Sequence, residues 1–230
     1  CGLTLTSRNK GDNPIPLAGV PFHAVDGYLK KMIKAGYKVA VCEQIENPKM
    51  AQGVVKRDVI RIITPGTLTD DMLLEEKQNN FLCAVGLNSK HAALSWVDIS
   101  TGHFFARMIP ENMVVDEILR ISPAECILPD ARGELFSEEI KKLASQIETA
   151  GSAAITYRPS WYFEQYDAYK RLTEHFGTKT LEGFGIKEGS GVISPAGAII
   201  EYLKETQKTA LGHISNIKIV EQKKFLQIDQ

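Results

Sequence analysis

The first third of the chain switches its hydrophobic pattern between the period of a strand and that of a helix. Apolar and polar residues alternate over Leu3–Thr6, and the apolar positions of residues 23–35 recur at helical spacing. Two runs rich in β-branched residues, Lys38–Gln44 and Val54–Ile63, follow and predict strands. The pattern therefore predicts a small mixed α/β domain over residues 1–66, which ends at a Thr-Pro-Gly turn.

A regular succession of elements follows an acidic, polar linker at residues 67–80. Apolar runs separated by short turns predict an antiparallel meander of strands at 81–87, 92–99 and 103–109. Helical and strand patterns then alternate, with helices at 112–121, from Ser137 and at 161–176, and strands at 125–128 and 153–157. This order, βββαβαβα, is typical of a ribonuclease H-like domain, which would span residues 81–176.

The last part of the chain predicts a helical segment. Residues 177–192 contain five glycines and predict a second linker. A Ser-Pro pair at residue 194 then starts a helix that ends near Gly212. Short strands are predicted in the tail at 217–220 and 225–228. The predicted fold class is thus α/β: a small mixed α/β domain, a ribonuclease H-like domain and a helical C-terminal segment, 193–230.

Composition narrows the class of protein. With 43% hydrophobic and 24% charged residues, the chain of 230 residues resembles an ordinary soluble globular protein. Its apolar runs are far shorter than the roughly 20 residues that a membrane helix needs, so no membrane contact is expected. The four cysteines form no C-x-x-C pair, which predicts reduced, cytosolic thiols rather than a zinc site. The chain begins at Cys1 without a targeting peptide and is expected to be a piece of a longer protein.

The charges are distributed unevenly along the chain. Residues 1–66 carry ten Lys and Arg against five Asp and Glu, a balance of +5, whereas residues 67–230 carry 17 against 23, a balance of −6. This asymmetry indicates a first domain that binds a polyanion such as nucleic acid. The alternative is a solvated helix face, formed by Lys30, Lys31 and Lys34.

Basic residues in the first loop and on the last strand of this domain are candidates for phosphate contacts, which need charge and reach but no base-specific geometry. They are Arg8, Lys56, Arg57 and Arg61. The proline-rich loop 13–22 carries Leu17, which could press an apolar surface into a nucleic-acid groove. The alternative is that this loop packs on its own domain.

Catalytic and metal sites are not predicted. A ribonuclease H-like nuclease clusters carboxylates around two divalent metals, but the first strand, 81–87, has none. Asp98, Asp116 and Glu117 on the following elements leave that pattern incomplete. The sequence also contains no G-x-x-x-x-G-K-[ST] loop. The chain is therefore expected not to be an enzyme, and a metal-dependent nuclease is the alternative.

Several stretches resemble the MutS family of bacterial DNA mismatch repair proteins. They are PIPLAGVPFHAVDGYLKKMIKAGYKVAVCEQ (14–44), VKRDVIRIITPGT (55–67), FEQYDAYKRLTEHFGTKTLEGFG (163–185) and SPAGAIIEYLKETQKTALGHI (194–214). They occur in the family's order and spacing and cover nearly the whole chain. The resemblance implies three pieces: the end of the mismatch-recognition domain, the ribonuclease H-like connector domain, and the start of the lever domain.

The resemblance also implies partners, cofactors and a cellular location. Members of the family are homodimers that bind duplex DNA containing mispairs or small loops, use ATP and Mg, and signal to MutL. The mismatch-reading Phe-x-Glu motif is expected upstream of Cys1 and the ATPase domain downstream of Gln230. This piece is therefore expected to hold no cofactor, to read no mismatch and to hydrolyse no ATP. The family implies a cytoplasmic, nucleoid-associated location.

The resemblance points to Arg8 and Arg57 as DNA contacts, with Leu17 as a groove contact. A second surface is predicted on the helix 161–176. If its apolar residues Phe163, Tyr166, Tyr169 and Leu172 face the core, a charged patch remains for MutL: Lys170, Arg171 and Glu174. The alternatives are a solvated helix face, or a connector that serves only to dock proteins.

The helix after residue 193 carries Ile199, Tyr202 and Leu203 on one face. In the MutS family that face would pack on later lever helices, which lie beyond this chain. The segment would then fold back on the connector, pair with another copy or remain mobile. We expect mobility or a contact with another copy, and so no core partner within its own chain.

Overall fold

The computed structural model describes residues 2–9, 13–50, 53–68, 79–87, 91–130, 137–208 and 210–221. The described helices are α1 (Val25–Lys34), α2 (Val114–Ile121), α3 (Ser137–Thr149), α4 (Gln165–Phe176) and α5 (Ile193–Gln207). The described strands are β1 (Leu5–Ser7), β2 (Pro16–Ala18), β3 (Val39–Gln44), β4 (Arg57–Ile63), β5 (Phe81–Leu87), β6 (His91–Asp98), β7 (His103–Pro110), β8 (Glu125–Asp130), β9 (Ala154–Pro159) and β10 (Ile217–Ile219). No helix among these residues is both long and apolar enough to span a membrane.

The first unit, residues 2–68, is built from two antiparallel hairpins and one helix. Strand β1 pairs with β2, β3 pairs with β4, and α1 lies beside the second pair. Its core consists of Leu29 and Ile33 of α1 packed against Ile63 of β4. The predicted helix and both later strands are confirmed, whereas β2 lies in a stretch predicted as a loop.

The second unit, residues 79–221, is organised around a mixed sheet. Within the described residues the strand order is β10-β7-β6-β5-β8-β9. The strands β5, β6 and β7 form the predicted antiparallel meander, and β8 and β9 continue the sheet in parallel to β5. The predicted α/β class is confirmed, and the order of helices and strands from Phe81 to Phe176 follows the sequence pattern.

Both faces of this sheet are buried. Successive residues of a strand point to opposite faces, so Leu82 and Ala84 join one core while Cys83 and Val85 join the other. The first core includes residues of α4 and α5, and the second includes residues of α2 and α3. Coverage of both faces explains why β5 is apolar throughout instead of alternating.

The expectation that the helix after residue 193 lacks a core partner in this chain is wrong. Ile199, Tyr202 and Leu203 are fully buried, and α5 packs on the sheet and on α4. Gly197 permits this approach, because a Cβ there would lie 2.5 Å from the Ala168 Cα. The helix is apolar around most of its circumference, which is the pattern of a helix buried between two layers. The assignment of residues 193–230 to a lever domain stays a prediction.

The glycine-rich stretch 177–192 also packs into the core. Leu181, Ile186 and Val192 are buried beneath the sheet residues of the first core. Gly177 ends α4 in the left-handed conformation, with φ of 63°, as its lack of a Cβ allows. The predicted linker is therefore a compact connection. Most of the linker predicted at 67–80 and the strand predicted at 225–228 lie outside the described residues.

The predicted inward face of α4 is wrong at one position. Leu172 is fully buried, and Phe163 and Tyr169 pack against the first core, but Tyr166 is 82% exposed. Steps of three residues drift from the helical period of 3.6, so Tyr166 and Leu172, both within α4, face different directions. Phe163 lies ahead of the helix, in a short 3-10 turn at 160–163.

Candidate nucleic-acid interface

The β1–β2 hairpin brings Arg8 and Leu17 to one face. Leu17 is paired with Thr6, whose hydroxyl donates to the Leu17 carbonyl at 2.9 Å. The Arg8 amide donates to the Ile15 carbonyl at 3.2 Å, which extends the pairing by one step. Because side chains alternate along a strand, Arg8 and Ile15 share the face of Thr6 and Leu17. This exposed face combines a cation with two apolar side chains.

Asn9 links the described residues on either side of the connection between these strands. Its side-chain carbonyl accepts the Ile15 amide at 2.9 Å, and its side-chain amide donates to the Asn13 carbonyl at 3.1 Å. Leu17 is 49% exposed. Of the two readings of the proline-rich loop, the exposure of Leu17 and Ile15 favours a surface available to a partner.

The β3–β4 hairpin separates the basic residues predicted on it. Arg61 pairs with Val41 and Arg57 pairs with Gln44, with an irregularity in register between Val41 and Cys42. Paired residues lie on the same face, and Val41 and Gln44 are three apart on β3, so they lie on opposite faces. The bulge at Ile60 therefore places Arg57 and Arg61 on opposite faces.

The two arginines consequently differ in environment. Arg61 is half-buried on the face that packs against α1, and it already takes part in an interaction. Arg57 is exposed near the hairpin loop, where its guanidinium donates to the Val55 carbonyl at 3.3 Å. Lys56 is exposed beside it, and its amide donates to Glu46 at 2.6 Å. Lys56 and Arg57 thus form the basic group that this hairpin presents to solvent.

Two of the three carboxylates noted in the second unit, Asp98 and Glu117, serve structural roles. Asp98 accepts the Ser100 amide at 2.9 Å and the Ser100 hydroxyl at 2.6 Å, which closes the turn after β6. Glu117 accepts from Arg107 and Arg120, both at 2.5 Å. Burial acts to raise the pKa of the Glu117 carboxyl, but the bonds from Arg120 and Arg107 outweigh it, and the pKa is lowered. Within the described residues, no group of three or more His, Cys, Asp and Glu could hold a metal ion.

The charged patch predicted on α4 is divided by the structure. The Arg171 guanidinium donates to the Tyr162 carbonyl at 2.7 Å and pairs with Glu201 of α5 at 3.1 Å, so it ties α4 to its neighbours. Lys170 and Glu174 remain at the surface, with side chains 65% and 58% exposed and 4.0 Å between Nζ and Oε1. Two of the three predicted docking residues are therefore accessible, and the third is a packing residue.

Sequence reasoning missed the aromatic residues beside this patch. Trp161 is 47% exposed, and the Arg171 guanidinium lies 5.4 Å from its ring centre. Tyr166 is exposed one turn before Lys170. The spacing of three residues is the local signal that could have revealed Tyr166, because it drifts from the helical period of 3.6 residues.

Fold and charge together define the class: a two-part α/β protein in which a small basic unit is joined to a domain built on a mixed sheet. Models of known protein families identify the class more closely. MutS domain I matches residues 1–72, and MutS domain II matches residues 80–215, which is more than half of the chain. The chain therefore belongs to the MutS family. The match to domain II includes α5.

Curated relatives agree with this assignment. The chain is 43% identical to the DNA mismatch repair protein MutS of Alkaliphilus oremlandii over 227 residues, covering 94% of this chain and 25% of the relative. It is 40% identical to MutS of Symbiobacterium thermophilum, with 94% and 25% coverage, and 38% identical to MutS of Lachnoclostridium phytofermentans, with 99% and 24%. The chain spans about a quarter of the length of these relatives.

A solved structure of the fowlpox virus resolvase with Holliday junction DNA gives a weaker match. It has a TM-score of 0.40 and 12% identity, and covers 54% of this chain and 98% of the resolvase. A likeness at this level carries no argument about function.

Proposed function

We propose that this chain is the DNA-gripping and connecting part of a MutS-type mismatch repair protein, which binds duplex DNA containing mispairs or small loops. One observation carries the proposal: residues 1–66, within the region that matches MutS domain I, have an excess of positive charge, and part of it is exposed on two hairpins. Arg8 contacts phosphate beside Leu17, which enters the groove, and Lys56 with Arg57 contacts phosphate from the second hairpin. Arg61 contributes from the opposite face.

These contacts act through charge and reach, so they grip any duplex. Discrimination in the whole protein depends on the low cost of kinking DNA at a mispaired step, where stacking is weak. The residues on the two hairpins hold the backbone while the duplex bends. This chain by itself binds matched and mismatched duplexes alike.

The second unit is, in this proposal, a ribonuclease H-like connector that performs no chemistry. Its strand order around β5, with β6 and β7 antiparallel and β8 and β9 parallel, supports the assignment. The alternative of a metal-dependent nuclease is not favoured. Strand β5 carries no carboxylate, and Asp98 is occupied in a turn.

The wider setting follows from the family. The whole protein forms a homodimer, uses ATP and Mg outside this chain, and acts in the cytoplasm on the nucleoid. MutL docks on α4 at the surface formed by Lys170 and Glu174. Arg171 supports this surface through Glu201 without facing the partner.

Fluorescence anisotropy with labelled duplexes tests the DNA proposal. Arg57→Ala should weaken binding to homoduplex and to a G·T duplex equally, and lower the slope of log K against log salt concentration by about 0.9. Lys141→Ala is the matched control, because it removes one positive charge from an exposed site on α3, where the side chain is 64% exposed. A preference of the wild-type chain for the G·T duplex, or equal losses in both variants, would contradict the proposal.

Capture on immobilised MutL tests the docking surface. Lys170→Glu should reduce capture and leave duplex affinity unchanged, whereas Lys141→Glu, the same change on another exposed helix face, should leave both unchanged. Capture that is unaffected by Lys170→Glu removes this surface from the proposal.

A further inference from the structure

A buried carboxylate lies where the two units meet. Glu125 begins β8, pairs with Leu82 of β5 and Ala154 of β9, and has no exposed surface. A carboxylate in such a place is very unfavourable unless its oxygens are fully hydrogen-bonded. Its partners therefore show what holds this part of the molecule together.

The two oxygens of Glu125 are divided between the units. Oε2 accepts from the first unit: the Thr64 hydroxyl at 2.5 Å and the Gly66 amide at 3.0 Å. Oε1 accepts from the second unit: the Thr156 hydroxyl at 2.5 Å and the Tyr202 hydroxyl at 2.8 Å. A carboxylate has about four acceptor sites, so these four donors satisfy it. Neither unit alone supplies enough donors.

The turn that carries Thr64 fits closely against the sheet. A Cβ on Gly66 would lie 2.8 Å from the Glu125 Cβ and 2.8 Å from Leu82 Cδ1, so only glycine permits this approach. Thr67 completes the turn, because its hydroxyl oxygen accepts the Thr64 amide at 2.9 Å and lies 3.0 Å from the Thr64 hydroxyl. The turn thus aims the Thr64 hydroxyl at Glu125.

Lys38 adds a charged partner from the first unit. Its Nζ donates to the Thr156 hydroxyl at 2.8 Å and lies 3.6 Å from Glu125 Oε1. Burial lowers the pKa of Lys38, and the charge of Glu125 opposes that effect. Burial and the nearby Glu125 charge also raise the pKa of Tyr202, which keeps its hydroxyl a donor.

The junction continues on either side of Glu125. The Asn80 side chain donates to the Pro65 carbonyl at 2.9 Å, and Lys208 after α5 lies 3.8 Å from Asp58 of β4. The basic hairpin β3–β4 is therefore attached directly to the second unit at its Ile63 end and also, through Asp58, beside Arg57 at the other end of the strand.

We propose that Glu125 is a positioning residue that locks the first unit on the sheet domain at one orientation, and so sets where the β3–β4 hairpin meets DNA. Separation of the units would leave Oε2 without donors. The lock therefore acts as a two-state element: both units docked on one carboxylate, or the first unit released. The proposal rests on the proposed function only in that the positioned surface is the DNA-binding one.

Nuclear magnetic resonance of the whole chain tests the lock. In the wild type, amides of residues 25–63 and of 81–200 should report one rotational correlation time and one alignment tensor from ¹⁵N relaxation and residual dipolar couplings. Gly66→Ala forces the turn away, and Thr64→Val removes a donor to Oε2. Both should shorten the correlation time of 25–63 relative to 81–200 and weaken duplex binding.

Matched controls separate this effect from loss of structure. Thr64→Ser keeps the hydroxyl, and Gly27→Ala adds a methyl where no atom lies within 4 Å. Both should tumble like the wild type. A single correlation time in both Gly66→Ala and Thr64→Val would overturn the proposal. Unfolding of residues 81–200 in either variant would also overturn it, because Glu125 would then support the core and not the orientation.

The outcome is independent of the DNA proposal. If the wild-type chain does not bind duplex at all, the proposed function fails, while the relaxation data still decide whether Glu125 locks the units. If duplex binding depends on Arg57 but the variants at Thr64 and Gly66 change neither tumbling nor affinity, the lock fails and the DNA surface stands.

Discussion

The two units of this chain differ in how much apolar surface they bury. The sheet of the second unit buries apolar side chains on both faces. In the first unit, the buried apolar residues of the core are, among the described residues, Leu29, Ile33 and Ile63. The first unit also leaves large apolar side chains exposed, such as Phe22 at 91% and Val54 at 87%. A unit of this size with so small a core is marginal by itself.

The surface proposed to bind DNA therefore belongs to the unit with the smaller core. The basic hairpins can be exposed because they contribute few buried residues to the core of the first unit. Their placement depends on polar contacts to the second unit, chiefly those of Glu125. Stability thus depends mainly on the second unit and the proposed DNA binding on the first, so variants in each unit should have different effects.

Core truncation should produce the largest difference between the units. Ile199→Ala removes a fully buried side chain from α5 and should cost about 2 to 5 kcal/mol of unfolding free energy. Both tryptophans, Trp96 and Trp161, lie in the second unit, so tryptophan fluorescence during urea unfolding measures this loss. Ile33→Ala, the matched truncation in the first unit, should leave that transition almost unchanged. Equal shifts would show that the units unfold as one.

The ion cluster of the second unit should give the next largest effect. Glu117→Gln weakens the bond between the buried Glu117 and the partly buried Arg107, and should cost about 3 kcal/mol at pH 7. Because the pKa of Glu117 is lowered in the fold, its contribution is present above the unfolded pKa of about 4.3 and is lost as the pH falls through the folded value. Urea unfolding at a series of pH values measures this.

The control for the cluster is Glu138→Gln, which alters an exposed pair with Lys141 on α3. Its cost should be below about 1 kcal/mol. If Glu117→Gln loses as much unfolding free energy at acid pH as the wild type does, then other carboxylates dominate the pH dependence of stability.

The bulge in β4 predicts a smaller effect within the first unit. Since Arg57 and Arg61 lie on opposite faces, one duplex cannot contact both equally, and Arg57→Ala should reduce the salt dependence of duplex binding more than Arg61→Ala does. Salt titrations of the two variants compare them directly. The reverse order would place DNA on the α1 face of the hairpin.

The smallest expected effect concerns His175 at the edge of the second unit. Burial lowers its pKa, opposed by the bond of 2.7 Å between Nε2 and the Ile214 carbonyl and reinforced by Lys204 and His213. The neutral ring is therefore favoured in the fold. Its contribution is present above the ordinary pKa of about 6.5 and is lost as the pH falls toward the folded value.

Hydrogen exchange measures this local effect. Amides of Ile217–Ile219 in β10 should lose protection between pH 7.5 and pH 5.5 after correction for the intrinsic rates, and His175→Gln should remove the difference. Protection that is independent of pH in the wild type would mean that the ring can be charged without opening β10.

Local patterns predicted most elements, because hydrophobic period depends only on neighbouring residues. The helix near Val25–Lys34, the meander from Phe81 and the helix that begins at Ser137 were predicted from such patterns and are confirmed. The patterns failed at Tyr166, because steps of three residues drift from the helical period of 3.6, and at β2, where a proline-rich stretch pairs as a strand.

By itself the sequence determined the order of elements, the excess of positive charge before residue 67 and the resemblance to the MutS family. Each of these depends on residues that are close together in the chain. Only the tertiary structure decided that α5 is buried, that Arg171 pairs with Glu201, and that Glu125 receives donors from Thr64 and Tyr202. These contacts join residues far apart in the chain. Their energies depend on burial and exact geometry, which no local pattern of residue types specifies.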